Sequence, residues 1–101
     1  MIKTRGRVGS RSSTAFYVYI VRCTDGSLYT GITSDVSRRL REHNSGRGSK
    51  YTRARLPVTL AFVERARDRS GALKRESQIK GFSRKSKLRL CEGKVQRFGL
   101  R

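Results

Sequence analysis

This chain of 101 residues lacks the features of most extracellular, zinc-binding or membrane proteins. Its two cysteines, Cys23 and Cys91, are too few for a disulfide framework or a zinc site, so we expect free, semi-buried thiols. No apolar run approaches the roughly 20 residues of a membrane span, and the basic N-terminus lacks the apolar core of a signal peptide. These absences favour a cytoplasmic or nucleoid-associated protein.

Acidic side chains are the other shortage, because 7 Asp and Glu stand against 25 Lys and Arg, a formal net charge of +18. Such an excess is typical of proteins with a polyanionic partner, most often nucleic acid. An anionic membrane surface is the less favoured alternative. Binding to phosphates would depend strongly on salt concentration.

Length and composition predict a simple organisation. A chain of 101 residues predicts one domain, which we assign to residues 15–92. Residues 1–14 carry basic side chains, glycines and serines but no acid, which predicts a disordered arm. That arm would be either an inert tail or a flexible phosphate-binding segment. Residues 93–101 are predicted to form a short C-terminal tail.

A β-hairpin is predicted at the start of the domain. Phe16 to Cys23 is rich in β-branched and aromatic residues, as strands are. Gly26 stands where a three-residue hairpin loop requires a left-handed residue. The resulting register pairs Tyr19 with Gly31 and puts Tyr19 and Tyr29 on one face of the sheet. A two-residue loop would put the two tyrosines on opposite faces.

A helix follows the hairpin, and Asp35 is one of three residues suited to cap its N-terminus. Val36 and Leu40 are spaced i, i+4 and are predicted to form its buried stripe. Arg39 and His43 have the same spacing and would project together from one edge of the helix.

Residues 46–55 are predicted to be a basic loop, because arginines, a lysine and glycines surround Tyr51 there. Tyr51 would either stack on a nucleic-acid base or pack against the sheet, and composition favours neither. A third strand, Val58 to Glu64, comes next.

Two more helices, Gly71 to Lys80 and Arg84 to Cys91, complete the domain. Helical spacing puts Glu76 beside the buried stripe that contains Leu73. A lone buried carboxylate is costly unless it is paired or holds a metal, and spacing alone favours a salt bridge to Lys80. The elements predict an α/β (α+β) fold: a three-stranded, mostly antiparallel sheet flanked by helices in the order β-β-α-β-α-α.

Phosphodiester cleavage is a reaction that this set of side chains suits. It needs a positioned water with a base, positive charge at phosphorus and stabilisation of the leaving oxygen. A tyrosine pair, an arginine and a carboxylate holding a divalent cation meet those needs. Because tyrosine is a weak base at its ordinary pKa of about 10, a neighbouring cation must lower that pKa.

The chain resembles the GIY-YIG nuclease superfamily, in particular its small stand-alone bacterial members. Tyr17-Val18-Tyr19 corresponds to the first motif, with Tyr17 where the family name has glycine, and Tyr29-Thr30-Gly31 corresponds to the second. The likeness covers about residues 16–90 and continues through Arg38-Arg39-Leu40, His43-Asn44-Ser45-Gly46, Ala72-Leu73-Lys74-Arg75-Glu76 and Ser83-Arg84-Lys85.

The resemblance implies roles for five residues and one metal ion. Tyr19 and Tyr29 would orient or deprotonate the attacking water, without a decision as to which is the base. Arg39 would stabilise the transition state, and His43 would assist by hydrogen bonding or proton transfer. Glu76 would bind a single Mg²⁺ or Mn²⁺.

The resemblance also implies roles for two glycines and shows that one asparagine of the family is missing here. Gly31 would let the backbone approach closely where the strand meets the helix, and Gly26 would serve the hairpin turn. Many members carry an asparagine after the glutamate-bearing helix, whereas the one asparagine here is Asn44. The site would therefore have one supporting hydrogen bond fewer.

The function so implied is a divalent-metal-dependent DNA endonuclease with little sequence specificity, acting as a monomer. DNA is favoured over RNA, and repair or recombination intermediates are candidate substrates. The main rival is a non-catalytic DNA- or RNA-binding accessory protein, and a ribosome-associated protein is the weaker one. The sequence identifies no protein partner that would target it. Eight residues are candidates for nucleic-acid binding: Arg38, Arg47, Lys50, Tyr51, Arg53, Arg84, Lys85 and Lys87.

Overall fold

The computed structural model describes residues 15–92 as one antiparallel sheet with helices packed on both of its faces. The predicted arm and tail, residues 1–14 and 93–101, lie outside the described residues. The strands, in the sheet order β2-β1-β3, are β1 (Phe16–Arg22), β2 (Leu28–Thr33) and β3 (Thr59–Ala66). The helices are α1 (Val36–Asn44), α2 (Lys50–Arg53), α3 (Arg69–Lys80) and α4 (Arg84–Cys91). The predicted fold class is confirmed.

The hairpin has the predicted register. Tyr19 lies opposite Gly31, and Val21 lies opposite Tyr29. Gly26 has a φ of +87°, the left-handed conformation that a three-residue loop requires. The two tyrosines therefore do project from the same face of the sheet.

The two faces of the sheet differ in what they bury. One face, here the α3 face, holds an apolar cluster: Val18, Ile20, Phe62, Ala72 and Ile79. The other, the α1 face, holds a second cluster: Tyr19, Val21, Cys23 and Val58, with Leu40 packed against it. A bulge between Ile20 and Val21 shifts the pairing of β1 with β3, so that Phe62 joins the α3 face and Leu60 the α1 face.

Helix termini follow the predicted capping chemistry. The Asp35 carboxylate accepts a hydrogen bond from the Arg38 amide at the start of α1. Asp68 caps α3 in the same way, so that helix begins two residues earlier than predicted. Ser83 caps α4 through the Ser86 amide.

Two expectations about side chains and loops were wrong, and a third, the buried stripe of α1, was correct only in part. The predicted loop at residues 46–55 contains α2, which Ser49 caps at the Thr52 amide. In α1 the fully buried residue is His43, whereas Val36 and Leu40 are only half-buried. Leu73 is 39% exposed, because the small residue Ala72 and not Leu73 faces the core from α3.

Cys23 and Cys91 are both free, as expected, and they pack on opposite faces of the sheet. Within residues 15–92, no helix has the length and apolar character that crossing a membrane would take.

Candidate active site

The hydroxyl of Tyr19 is the point at which three side chains meet. Tyr19 lies in the middle of the central strand β1 and is 2% exposed. Its Oη lies 2.9 Å from Nε2 of His43, and Nε of Arg39 donates to it at 3.4 Å. The i, i+4 spacing of Arg39 and His43 on α1 therefore brings both to one tyrosine oxygen.

His43 is held by a chain of hydroxyl groups from α2. It is 0% exposed, and its Nδ1 lies 2.8 Å from Oγ1 of Thr52, which in turn lies 2.9 Å from Oγ of Ser49. Burial, and next the positive charge of Arg39, lower the pKa of His43, so the imidazole is neutral near pH 7. We assign the proton to Nδ1, donating to Thr52, which leaves Nε2 to accept from the Tyr19 hydroxyl.

The Arg39 guanidinium is fixed on two further sides. Its NH1 donates to the Glu42 carboxylate at 2.9 Å, and its NH2 donates to the Gly48 carbonyl at 3.0 Å. The hydrogen bond from Arg39 is also the main reason that the pKa of Glu42 is lowered. Arg39 is thus oriented before any substrate arrives.

Burial raises the pKa of Tyr19, and this effect outweighs the opposing influence of Arg39. The sequence predicted that neighbouring cations would lower a tyrosine pKa, and for Tyr19 in the protein alone that prediction is wrong. Tyr19 is therefore a neutral phenol near pH 7. In the resting protein it is a hydrogen-bonding group and not a deprotonated base.

Tyr29 lies against His43 from the neighbouring strand. Its ring meets the imidazole edge-on, with centroids 5.4 Å apart, and stacks with Tyr51 at 6.0 Å. Arg55 covers Tyr51 as well, its guanidinium carbon 3.9 Å from the ring centroid. Because its ring already stacks with Tyr29 and lies under Arg55, these contacts favour packing over base stacking for Tyr51.

Glu76 forms the salt bridge that was one of the two roles predicted for it. Its side chain is 18% exposed, and its carboxylate pairs with Nζ of Lys80 at 3.3 Å, the i, i+4 spacing that favoured this contact. Its negative charge also contributes to raising the pKa of Tyr19, so it lies within electrostatic reach of that hydroxyl. Residues 15–92 contain no cluster of three or more His, Cys, Asp or Glu side chains fit to hold a metal. A single carboxylate still suits Mg²⁺, which keeps several waters and is commonly held by one or two carboxylates plus substrate phosphate.

The GIY-YIG catalytic domain family matches residues 15–89 of the chain. That range includes the five predicted catalytic residues: Tyr19, Tyr29, Arg39, His43 and Glu76. This chain belongs to that family. Its GIY-YIG relatives include a UPF0213 protein of Haloquadratum walsbyi, 58% identical over 76 residues that cover 75% of this chain and 85% of the relative. A UPF0213 protein of Staphylococcus saprophyticus is 54% identical over 74 residues, covering 73% and 90%. Membership indicates a nuclease, hence a hydrolase with a nucleic-acid substrate, of a family that generally depends on divalent metal.

A solved structure supports the same assignment of fold. The solution NMR structure of the protein EF2693 from E. faecalis is 40% identical and matches with a TM-score of 0.53. The match covers 86% of this chain and 88% of that protein.

Two glycines of the GIY-YIG domain are required by close contacts. A Cβ on Gly31 would lie 2.5 Å from Oη of Tyr19, so the second motif needs a glycine there. A Cβ on Gly48 would collide with the His43 ring. The sequence pointed to Gly31 but not to Gly48, and it also missed Glu42 and Thr52. The i+3 spacing of Glu42 from Arg39 was the one signal available.

Asn44 has a structural task in this GIY-YIG domain. Its side chain donates to the Val58 carbonyl at 3.0 Å and accepts from the Val58 amide at 2.7 Å. It thereby ties the end of α1 to the segment that enters β3.

The predicted nucleic-acid-binding residues are distributed over several elements. Arg38 approaches Glu42 at 3.7 Å, and Arg84 donates to the Gly26 carbonyl at 3.0 Å. Lys87 and Tyr51 line one cavity beside Tyr29. The remaining four candidates are exposed: Arg47, Lys50, Arg53 and Lys85.

Proposed function

We propose that this protein is a divalent-metal-dependent endonuclease that cleaves DNA phosphodiester bonds with little sequence specificity. One observation carries the proposal: Arg39 and His43 both contact the Tyr19 hydroxyl, within reach of the charge of Glu76. A protein that only binds phosphates has no need of a buried neutral imidazole against a phenol. Family membership supports the same reaction class.

Tyr19 and His43 form the route for the proton of the attacking water. As the water attacks phosphorus, the bond from phosphorus to the leaving oxygen breaks, and the leaving oxygen takes a proton from solvent. The proton of the attacking water passes to Tyr19 Oη while the Tyr19 proton passes to His43 Nε2, 2.9 Å away. The phenol stays neutral, in keeping with its raised pKa, and the imidazole ends as imidazolium. Tyr29, the more exposed of the two tyrosines, orients the water.

Arg39 stabilises the negative charge that develops on the phosphoryl oxygens. Its contacts with Glu42 and Gly48 fix the guanidinium, so that little reorganisation is needed during the reaction. Glu76 would hold Mg²⁺ or Mn²⁺, which when bound supplies positive charge for the oxygens at phosphorus.

The acidic residues support a nucleic-acid substrate because most of them are already engaged. Asp35 and Asp68 cap helices, and the carboxylates that pair with basic residues are Asp25, Glu42, Glu64 and Glu76. The excess of cations is therefore left to interact with phosphates, which favours sequence-independent binding. Repair and recombination intermediates remain the substrates that we propose, with the protein acting as a cytoplasmic monomer.

A non-catalytic nucleic-acid-binding protein is the second candidate. The observation that favours it is the ion pair between Glu76 and Lys80, which occupies the carboxylate that a metal would need. In that case Tyr19, Arg39 and His43, here called the Tyr19 cluster, would serve only to stabilise the fold.

Cleavage assays on supercoiled plasmid and on branched DNA, in Mg²⁺ or Mn²⁺ at low salt, distinguish the two candidates. The wild type, Glu76→Ala and Arg39→Ala are compared, each also assayed for DNA binding in EDTA. The proposal expects the wild type to nick DNA and both variants to bind without nicking. If all three proteins cut alike, or none cuts, the nuclease proposal fails and the binding protein replaces it.

A further inference from the structure

A cavity of about 270 Å³ opens beside the Tyr19 cluster. Strand β2, helix α2 and the residues Lys80 of α3 and Lys87 of α4 border it, and it is open to solvent. It is lined by Leu28, Tyr29, Thr30, Tyr51, Lys80 and Lys87. Neither the family match nor the names of the relatives assign a ligand to it.

Two residues that line the cavity contact residues of the candidate active site. Tyr29 forms one wall and contacts His43 with the same ring. Lys80 forms another wall, and its ammonium is paired with Glu76 at 3.3 Å. A group in the cavity therefore lies next to the residues proposed to act on the scissile phosphate.

The lining combines two kinds of chemistry. Leu28 and the rings of Tyr29 and Tyr51 form an apolar and aromatic side, and two lysines supply ammonium groups at another. An apolar body with an anionic end matches this pattern, as a nucleotide does with its base, sugar and phosphate. The aromatic side is held in place by the stacking of Tyr51 on Tyr29 and by Arg55 above Tyr51, so it needs little ordering on binding.

The size of the cavity matches a small ligand. A volume of about 270 Å³ lies just below the roughly 300–1,000 Å³ of most small-molecule pockets, which suits a single nucleotide. A paired nucleotide keeps its base inside the duplex stack, and it must leave the stack to reach a pocket. An unpaired nucleotide enters without that cost.

We propose that this cavity binds one unpaired nucleotide of the strand being cut, adjacent to the scissile phosphate, with its phosphate on Lys80 and Lys87. The inference rests on the proposed nuclease function in taking DNA as the ligand, and it specifies the class of DNA. Substrates with a single-stranded extension, flap or bulge next to the cleavage position would be preferred over blunt duplex.

Binding measured in EDTA tests this inference without requiring cleavage. Two probes are compared at matched phosphate content: a blunt duplex, and a duplex of related sequence with a short single-stranded extension. Lys87→Gln removes one charge from the cavity, and Lys85→Gln removes one charge from the same helix outside the cavity lining. Non-specific phosphate attraction falls equally in both variants, so the pair isolates the cavity.

The expected result is a wild-type preference for the extended probe of about tenfold, the size of one charge-assisted contact. Lys87→Gln should abolish that preference, whereas Lys85→Gln should weaken both probes by the same small factor and keep it. Thymidine 5′-monophosphate should shift the amide NMR signals of Leu28, Tyr29 and Thr30 in the wild type and not in Lys87→Gln.

Equal binding of both probes by the wild type would overturn the inference, as would identical behaviour of the two lysine variants. A protein that keeps the preference but does not cut DNA would contradict the proposed function and leave the cavity assignment standing. A protein that cuts DNA but binds both probes equally would contradict the cavity assignment and leave the proposed function standing.

Discussion

The two faces of the sheet bury very different material. The α3 face buries mainly aliphatic and aromatic groups, with Phe62 and Ile79 fully inaccessible and Thr30, opposite Ile20, as its buried polar residue. The face under α1 and α2 buries a tyrosine hydroxyl, an imidazole and a threonine hydroxyl, each with a hydrogen-bond partner.

The comparison indicates that alternate residues of one strand serve stability and the candidate site separately. Residues of β1 alternate, so that Val18 and Ile20 stabilise the fold while Tyr19 between them holds the site. Buried polar groups contribute little net stability and are costly when one partner is lost. Their retention on one face, beside an apolar core on the other, is reasonable if that face performs chemistry. Substitutions on the two faces should therefore have separable effects.

Phe62→Ala should have the largest effect on stability. It removes a fully buried ring from the α3 face and should lower the free energy of unfolding by about 3–5 kcal/mol. Urea denaturation followed by circular dichroism measures this change. Thr59→Ala, on an exposed position of the same strand, should change it by less than about 0.5 kcal/mol. A similar decrease in the free energy of unfolding in both variants would contradict the assignment of the α3 face as the stabilising core.

Arg39→Ala should have the largest effect on activity. Loss of a preorganised cation at the transition state should lower the single-turnover cleavage rate by about 10²–10³-fold, with folding retained. Arg41→Ala is the matched control, because Arg41 is an exposed arginine on the same helix. If both variants lose the same rate, net charge and not a positioned guanidinium explains the activity.

Thr52→Val tests whether α2 sets the orientation of His43. The substitution keeps the side-chain shape but leaves a buried imidazole N–H without its acceptor, at a cost of about 1–3 kcal/mol. The cleavage rate should fall by about tenfold, since the imidazole no longer keeps Nε2 free for Tyr19. Thr52→Ser should restore both properties. A valine variant with the wild-type rate would mean that the hydroxyl chain only fills space.

The smallest expected effect is a dependence of stability on pH that arises from His43. Its pKa is lowered in the folded protein, so the unfolded chain binds the proton more tightly. Its contribution to stability is therefore complete above its unfolded pKa of about 6.5 and is lost as the pH falls from there towards the lower folded pKa. The slope should not exceed about 1.4 kcal/mol per pH unit.

His43→Gln is the reference for that pH dependence, because the chain contains 1 histidine. Carboxylates titrate mainly below about pH 5, so the difference between wild type and variant from pH 5 to 6.5 isolates the imidazole. Chemical denaturation at several pH values measures it. Parallel curves for the two proteins would show that His43 titrates equally in the folded and unfolded states.

Local rules were sufficient for the hairpin and the helix starts. A glycine in the third loop position fixed the register and hence the shared face of Tyr19 and Tyr29. Capping chemistry likewise indicated where α1 begins, because Asp35 was one of three residues suited to cap it, although the first turn of α3 was misjudged. These features depend on neighbours in sequence, which a sequence displays directly.

The buried polar network was beyond such rules. Helix α2 has four residues and no apolar periodicity, and it is fixed by the hydrogen bond of Thr52 with His43 on the preceding helix. The same contact explains why His43 is buried although Val36 and Leu40 are more apolar. Gly48 needed the His43 ring in place before its requirement for glycine was evident.

A pair of variants with similar stability tests the division between the faces most directly. Tyr19→Phe removes the central hydroxyl of the α1 face, and Ile79→Val removes one methyl group from the α3 face. Both should lower the free energy of unfolding by about 1 kcal/mol. Single-turnover cleavage is then measured on each under conditions where both are folded. The account predicts a rate near wild type for Ile79→Val and a loss of about 100-fold or more for Tyr19→Phe. Equal rates in the two variants would contradict it.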